Sequence, residues 1–336
     1  MTDIKSMTLS ELSDHIESLG EPAYRAKQLY GWIHQKCVAS VDDMTNIPKS
    51  LREKVDITNL NLVDVQESSD GTRKYLFGLS DRSLIESVLM RYKYGNSVCI
   101  SSQVGCRMGC KFCASTLDGL ERNLTAAEML DQIYSISRDI GERISHVVVM
   151  GTGEPMDNYD NLIRFLHIIT DQDGYGLSRR NITVSTCGIA EKIKEFADAD
   201  TGVTLAISLH APTDEIRRSM MPIANKYSIS DVINAAKYYF EHTGRRVTFE
   251  YALAKGVNDS SECAAKLADL AKLVSGHVNL IPVNPVTERG YAPTADEGVR
   301  AFKNKLEKQG INVTIRRELG QDIDGACGQL RKRHME

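Results

Sequence analysis

The chain has 336 residues, of which 42% are hydrophobic and 26% are charged, the composition of an ordinary soluble globular protein. Its formal net charge of −4 gives no global argument for a nucleic-acid partner. The N-terminus has no apolar h-region, and no stretch approaches the roughly 18–20 apolar residues of a membrane span. We therefore expect a cytoplasmic protein without a signal peptide and without a membrane partner.

Two helical patterns open the chain. Thr8 and Glu11 have the spacing of a capping box, and apolar residues follow them at helical intervals. A second amphipathic run covers residues 22–36, and we expect its apolar stripe to pack in the core. The stripe consists of Tyr24, Leu29, Trp32 and Ile33. Arginines and lysines beside it leave phosphate binding as an alternative. These patterns predict a small helical domain over residues 1–58.

The hydrophobic period then changes twice. In residues 59–96 it is two, which predicts antiparallel strands joined by hairpins. From residue 97, apolar strand-like runs without clean alternation are each followed by a helical pattern, which is typical of a parallel sheet buried on both faces. Six such units up to residue 283 predict the α/β class, with a partial (βα)6 barrel in residues 97–336 and a β-hairpin extension before it.

Three of the eight cysteines lie close together in the run CRMGCKFC. Cys106, Cys110 and Cys113 follow the first barrel strand, which places them at the C-terminal rim where such barrels have their active sites. A structural zinc site normally has four ligands in two C-x₂-C pairs, and no second pair follows at that spacing. Three thiolates on an iron–sulfur cube would keep one iron open to a non-protein ligand. We therefore favour an iron–sulfur cluster and keep structural zinc as the alternative.

The C-x₃-C-x₂-C spacing on this loop resembles the radical S-adenosylmethionine (SAM) superfamily. Other motifs resemble the RlmN/Cfr family of RNA adenine methyltransferases, almost from end to end of the chain. They are YRAKQLYGWI, VCISSQVGCRMGCKFCAST, GTGEPMDN, NITVSTCG, AISLHAP, NLIPVNP and DIDGACGQLR. The resemblance implies a radical-SAM barrel, a 4Fe-4S cluster on Cys106, Cys110 and Cys113, and SAM on the open iron. It also implies that two SAM molecules are used per turnover.

The sequence GTGEP at residues 151–155 follows the second barrel strand. It is consistent with a plain glycine turn, and a dinucleotide fingerprint fails because Met156 stands where the third glycine belongs. The resemblance implies SAM contacts from residues at the ends of successive strands, where a cofactor on the rim would be met. These residues are Gly153, Glu154, Ser185, Ser208, Leu209, His210 and Asn284.

Cys327 follows the last strand, between Ala326 and Gly328. Small neighbours favour an accessible thiol, although a lone cysteine is more often an inert buried residue. Carbon 2 of adenine is electron-poor and cannot attack SAM as a nucleophile, whereas a carbon radical can add to it. The resemblance implies that Cys327 is methylated first and that its methyl carbon then becomes attached to the base. Cys99 matches the second thiol, which releases methyladenine and leaves a disulfide; the alternative is a small apolar strand residue.

Glu86 stands among apolar residues in a predicted strand, thirteen residues before Cys99. In the family a glutamate at this spacing is the proton acceptor, and burial would raise its pKa towards that of a useful base. Exposure on an antiparallel face is the alternative. The remaining cysteines match no role in the family, and we interpret them as structural: Cys37, Cys187 and Cys263.

The resemblance implies an RNA substrate: adenosine of 23S rRNA in the peptidyl-transferase centre, and adenosine of tRNA just 3′ of the anticodon. Family members of the Cfr type methylate C8, and the run FCASTLDGLERNLT favours C2 by analogy. An electron donor such as flavodoxin or ferredoxin is implied as well, with an RNA-binding accessory role for residues 1–58. We expect a monomer. An RNA-binding module with structural zinc is the alternative from another functional class.

Basic residues occur as scattered pairs, which are usually solvated but can form a local phosphate patch. They are Arg179-Arg180, Arg217-Arg218, Arg245-Arg246, Arg316-Arg317 and the RKR run at 331–333. The assignment of an RNA substrate depends on the resemblance and not on these charges.

Overall fold

The computed structural model describes residues 3–317 and 319–330. The strands of these residues are β1 (Asn61–Glu67), β2 (Arg73–Gly78), β3 (Leu84–Tyr92), β4 (Gly95–Ile100), β5 (Gln103–Gly105), β6 (Leu120–Asn123), β7 (His146–Val149), β8 (Ile182–Thr186), β9 (Thr204–Ser208), β10 (Thr248–Leu253), β11 (His277–Pro282) and β12 (Asn312–Ile315). The helices are α1 (Leu9–Ser18), α2 (Tyr24–Tyr30), α3 (Lys49–Arg52), α4 (Ala126–Ile140), α5 (Tyr159–Thr170), α6 (Ala190–Asp198), α7 (Asp214–Met220), α8 (Ile229–Thr243), α9 (Ser261–Lys272) and α10 (Asp296–Lys308).

One sheet organises the molecule, in the strand order β1-β2-β3-β4-β7-β8-β9-β10-β11-β12. The pairs from β1 to β4 are antiparallel, and every pair from β4 to β12 is parallel. Strand β4 therefore joins the hairpin extension to the barrel. The partial (βα)6 barrel is confirmed, and β12 extends it by one further parallel strand.

The N-terminal helix begins as the sequence predicts. Thr8 Oγ1 accepts a hydrogen bond from the Glu11 N–H (3.3 Å), and the Glu11 carboxylate accepts one from the Thr8 N–H (2.8 Å). The second run differs in one residue, because the ring of Tyr24 is 57% exposed and lies beside the Arg25 guanidinium. Placing Tyr24 on the core stripe was therefore wrong: it is the first residue of α2 and faces solvent.

The N-terminal helices pack on the same hydrophobic core as the barrel. A buried ion pair strengthens this contact, with Lys5 Nζ lying 2.8 Å from Asp131 Oδ1 on α4. The other carboxylate oxygen of Asp131 accepts a hydrogen bond from the Leu60 N–H (2.7 Å). Among the residues that the structure describes, no helix is long and apolar enough to cross a membrane.

Candidate active site

A cavity opens at the C-terminal ends of the parallel strands. Its lining includes the predicted site residues except Leu209 and Glu86, brought together from segments far apart in the chain. They are Cys99, Cys106, Cys110, Cys113, Gly153, Glu154, Ser185, Ser208, His210, Asn284 and Cys327. The parallel sheet explains this convergence, since successive strands end at the same edge.

A small antiparallel hairpin of β5 and β6 encloses the cysteine loop. At its base the Cys106 N–H donates to the Gly119 carbonyl oxygen (2.8 Å). Gly105 has a φ of 75°, and a Cβ there would collide with that same carbonyl oxygen, so the close approach requires glycine. The sequence patterns did not indicate this hairpin, because strands of three and four residues are too short to show a period of two.

Side-chain and backbone hydrogen bonds hold the loop in shape. Thr116 Oγ1 donates to the carbonyl oxygens of Cys110 (3.1 Å) and Cys113 (3.0 Å). The Ala114 N–H donates to the Gly328 carbonyl oxygen (2.8 Å). This last bond joins the cysteine loop to the C-terminal segment, so the two parts of the cavity wall are connected directly.

The three thiols of this loop suit a soft metal cluster. Burial raises the pKa of the Cys106 thiol to about 12 and that of Cys110 well above its ordinary value, and it also raises the pKa of Cys113. A thiol must lose its proton to bind a metal, and the bound cation then compensates the buried negative charge. Three thiols on one loop that all line the cavity therefore match, in number and donor type, the three-thiolate set of an iron–sulfur cluster.

Next to the cysteine loop, Gly153 and Glu154 form a wall that Gln103 fixes in place. The Glu154 N–H donates to Gln103 Oε1 (2.8 Å), and a Cβ on Gly153 would lie only 2.6 Å from the Gln103 Cβ. The Glu154 carboxylate is buried and accepts hydrogen bonds from the N–H groups of Met156 (3.1 Å) and Cys187 (2.7 Å). Burial nevertheless raises the pKa of Glu154, so a cationic group in the cavity would stabilise its charged form.

His210 adds a neutral hydrogen-bond donor to the cavity. Its Nδ1 accepts from the Ala252 N–H (2.9 Å), so the ring proton is on Nε2. Burial lowers the pKa of His210 to about 3, which keeps the ring neutral. The ring packs edge to face against Phe112, with centroids 4.9 Å apart. Ser185 and Ser208 also line the cavity, from β8 and β9.

Two further predicted cofactor contacts differ in their placement. Asn284 lines the cavity, and its Nδ2 donates to the Cys327 carbonyl oxygen (3.0 Å). Leu209 is fully buried in the hydrophobic core, and its N–H donates to the Glu250 carbonyl oxygen (3.1 Å). A cofactor contact from Leu209 stays a prediction.

Cys99 and Cys327, the two outer thiols that do not belong to the cysteine loop, line the same cavity although their positions in the sequence differ by 228. Cys327 is exposed, whereas Cys99 is buried in β4 with 7% exposure. Burial raises the pKa of the Cys99 thiol to about 12, and the positive charge of Arg316 opposes this shift. Arg316 also lines the cavity, although its sequence context suggested only a surface pair with Arg317.

Glu86 is 4% exposed, so the alternative of a solvent-exposed glutamate is wrong. Its Oε1 lies 3.6 Å from the Nζ of Lys74, on the neighbouring strand β2. Glu86 shares a sheet face with Val88, two residues along β3, and Val88 lines the cavity. The role of Glu86 as a proton acceptor stays a prediction.

Glu250 lines the cavity and was not among the expected site residues. It is buried on β10, and its Oε2 accepts a hydrogen bond from Asn279 Nδ2 (2.8 Å). Burial raises the pKa of Glu250. The sequence carried a signal for it: a single acidic residue within the apolar strand run VTFEYALA.

The basic pairs are not uniformly on the surface. Arg217 is fully buried whereas Arg218 is exposed, so Arg217 cannot contribute to a phosphate patch. The two side chains separate because consecutive residues of a helix point about 100° apart. The RKR run at 331–333 lies outside the described residues.

Comparison with known proteins gives consistent family matches. Residues 100–268 match the radical SAM superfamily, and residues 2–59 match the ribosomal RNA large subunit methyltransferase N-terminal domain. A probable dual-specificity RNA methyltransferase RlmN of Lachnospira eligens is 61% identical, over 100% of this chain and 97% of its own length. The corresponding protein of Lachnoclostridium phytofermentans is 55% identical, over 99% of this chain and 95% of its own.

A solved structure is similar throughout. The crystal structure of a radical SAM methyltransferase from Sphaerobacter thermophilus superimposes with a TM-score of 0.95 at 41% sequence identity. The match covers 98% of this chain and 99% of that one, so it includes the N-terminal helices and the hairpin extension as well as the barrel.

Proposed function

Because this chain belongs to the RlmN family of dual-specificity RNA methyltransferases, within the radical SAM superfamily, we propose that it methylates C2 of adenosine. The proposed substrates are the adenosine of 23S rRNA in the peptidyl-transferase centre and the tRNA adenosine just 3′ of the anticodon. The placement of Cys99 and Cys327 on one cavity with the three cysteines of the cluster loop is the observation that supports methyl transfer through two thiols, and the C2 position is inferred from the family. An RNA-binding module with structural zinc was the wrong alternative, since the family consists of enzymes.

The enzyme uses a 4Fe-4S cluster and SAM, the cofactors of its superfamily. Cys106, Cys110 and Cys113 would hold the cluster, and cluster and SAM together supply a 5′-deoxyadenosyl radical when bound. Of the remaining lining residues, Glu154 presents a buried carboxylate that suits the ammonium group of SAM. His210 presents a neutral Nε2–H donor, and Asn284 joins this cofactor wall to the catalytic loop.

The two outer thiols have different proposed roles, which their exposure supports. The exposed Cys327 takes a methyl group from SAM as a thioether. With the cluster and a second SAM bound, this S-methyl group would lose one hydrogen atom to the 5′-deoxyadenosyl radical, and the carbon radical on Cys327 would add to C2 of the base. The adduct would return one electron to the cluster and lose the C2 proton, which leaves the carbon bonded to both C2 and the Cys327 sulfur. The Cys99 thiolate next attacks the Cys327 sulfur, so the carbon leaves with the base and gains a proton. A Cys99–Cys327 disulfide remains. Burial protects the Cys99 thiol until this step, and the charge of Arg316 favours its thiolate form.

Glu86 is the proposed proton acceptor, beside Lys74 on the sheet face that continues into the cavity.

We also propose that residues 1–58 are an RNA-binding accessory domain, residues 59–96 a β extension and residues 97–336 the radical SAM core. The protein would work as a cytoplasmic monomer with an electron donor such as flavodoxin or ferredoxin.

Mass spectrometry of RNA nucleosides tests the site of methylation. Target RNA from cells that lack the endogenous enzyme is incubated with the anaerobically prepared protein, SAM and a reductant, and then digested. We expect 2-methyladenosine in both rRNA and tRNA. Finding 8-methyladenosine in its place would support the Cfr-type alternative and reject the C2 proposal.

A further inference from the structure

Arg217 on α7 is a fully buried guanidinium that donates to the backbone of Cys187, a residue of the cavity lining. All its hydrogen bonds go to backbone carbonyl oxygens: Nε to Leu209 (3.2 Å), one terminal nitrogen to Tyr227 (3.2 Å) and the other to Cys187 (2.6 Å). Within residues 3–317 and 319–330, no Asp or Glu side chain forms an ion pair with this guanidinium. The structure therefore buries a positive charge against neutral acceptors only.

Such burial is costly unless a negative group lies near. Removing an arginine from water is energetically unfavourable, and buried charges are normally paired. Burial lowers the pKa of Arg217, while the groups that favour its charged form are, first, the thiols of Cys187 and Cys110 and then the carboxylate of Asp214. One acceptor of the guanidinium, the Cys187 carbonyl oxygen, belongs to a residue that lines the cavity together with Cys110. The N–H of Lys111, the residue after Cys110, donates to the Met220 carbonyl oxygen on α7 (2.9 Å), so the helix that carries Arg217 packs directly on the cysteine loop. The negative charge that this guanidinium lacks would therefore be supplied from the cysteine loop.

We propose, on the basis of the assigned cluster site, that Arg217 is the built-in counter-charge of the iron–sulfur cluster on Cys106, Cys110 and Cys113. Three thiolates and the cluster core together carry net negative charge, and reduction adds one more. A fixed cation in a medium of low dielectric favours the reduced form and raises the reduction potential. The guanidinium cannot lose its charge at physiological pH, so this effect is permanent.

A purely structural role would use the hydrogen bonds and not the charge. Arg217 does connect the segments after β8 and β9 to the turn before α8, through Cys187, Leu209 and Tyr227. Substitution by lysine separates the two roles, because lysine keeps the charge but cannot reach three carbonyl groups with one ammonium. Substitution by methionine removes both the charge and the hydrogen bonds and keeps an unbranched side chain of roughly similar length.

The experiment compares Arg217→Lys and Arg217→Met with the wild type in the full-length, anaerobically reconstituted protein. Iron content and far-UV circular dichroism report cluster loading and folding. The midpoint potential of the cluster is measured by redox titration followed by electron paramagnetic resonance, without SAM or RNA. The control is Arg164→Gln, which removes a half-exposed arginine paired with Glu11 on the N-terminal region.

We expect the wild type, Arg217→Lys and the control to have similar midpoint potentials, and Arg217→Met to be shifted to a more negative potential. A folded Arg217→Met protein that cannot retain iron, beside a loaded Arg217→Lys protein, supports the proposal equally. The proposal is rejected if a loaded Arg217→Met protein keeps the wild-type potential. The proposal is also rejected if the midpoint potentials of Arg217→Lys and Arg217→Met shift by the same amount. It is rejected as well if the two variants lose both their iron and their folded structure to the same extent. A wild type that binds no iron would instead reject the cluster site itself.

Discussion

Asn284 Nδ2 donates a hydrogen bond to the carbonyl oxygen of Cys327, 3.0 Å away. The donor follows β11 and the acceptor belongs to the C-terminal segment, so the bond attaches the loop with the exposed thiol to the wall where SAM is proposed to bind. The position of the Cys327 sulfur, which is proposed to accept the methyl group, therefore depends on the side chain of Asn284.

Loss of this hydrogen bond should loosen the Cys327 loop. A net hydrogen bond contributes about 0.5–1.5 kcal/mol, so Asn284→Ala should increase opening of the loop roughly two- to tenfold. Hydrogen–deuterium exchange of the peptide that covers residues 319–330 measures this without cofactor or RNA. The matched control is Asn161→Ala, whose side chain donates to Asn158 elsewhere on the molecule. Equal exchange rates in Asn284→Ala and the wild type would show that the Asn284 hydrogen bond does not hold the Cys327 loop in place.

Substitution of Cys327 and substitution of Cys99 should stop the reaction at different stages. Cys327→Ala should lose self-methylation and product while the cluster still forms, because in the proposed mechanism the Cys327 sulfur carries the methyl group. Cys99→Ala should keep self-methylation and attachment of the base, but it should not release the RNA. The stalled species is a covalent protein–RNA thioether, visible as a shifted gel band that resists reductant. Normal turnover by Cys99→Ala would reject the two-thiol mechanism.

Arg316 should speed the release of RNA by favouring the Cys99 thiolate. Burial raises the pKa of Cys99 to about 12, and the Arg316 charge opposes that rise. Arg316→Met should raise this pKa further and lengthen the life of the protein–RNA adduct at neutral pH, with partial recovery at higher pH. Arg316→Lys keeps the charge and should resemble the wild type. An adduct lifetime in Arg316→Met that does not depend on pH would argue against an electrostatic role.

Stability should fall with acid because His210 is buried in its neutral form. Its folded pKa of about 3 lies below the ordinary value of 6.5, so between these values the unfolded chain binds the proton and the folded protein does not. The free energy of unfolding should therefore fall as the pH decreases from about 6.5 towards 3. Part of the slope should disappear in His210→Asn, since Asn tolerates the φ of 55° and can accept from the Ala252 N–H. Urea unfolding across this pH range measures the free energy of unfolding. If its dependence on pH has the same slope in both proteins, the loss of stability in acid belongs to another group, for example the buried His34.

The N-terminal helices should depend on one buried ion pair for their attachment. Lys5 and Asp131 are both fully buried, and removal of Lys5 leaves the Asp131 carboxylate with only the more distant Arg138 guanidinium, 3.5 Å away, as a cationic partner; breaking a buried ion pair typically costs about 3–5 kcal/mol. We expect Lys5→Met to lose stability of this order in urea unfolding. Arg164→Met, which breaks the exposed pair with Glu11, should lose no more than about 1 kcal/mol. Similar losses in the two variants would show that burial adds nothing to the Lys5 contact.

Local sequence features predicted most of the secondary structure, although not the short hairpin of β5 and β6, and they singled out the cysteine loop as a candidate cluster site. Periods of 3.6 and two identify helices and strands because each side chain's direction follows from its backbone, and the three cysteines lie within one short loop. The roles of Cys99 and Cys327 were predicted only through resemblance, because no local pattern connects residues so far apart. Folding brings them together by ending the strands of one parallel sheet at a common edge.

For most charged groups, only the tertiary structure decided whether the side chain is buried. Arg217 and Arg218 are identical neighbours in the sequence, yet one is enclosed among backbone carbonyls and the other meets solvent. Glu86 was equally consistent with a buried and an exposed position, and Glu250 and Arg316 were not expected in the cavity. The reason is physical: the environment of a charge is set by groups from distant segments that desolvate it or pair with it, and their distances exist only in the folded chain.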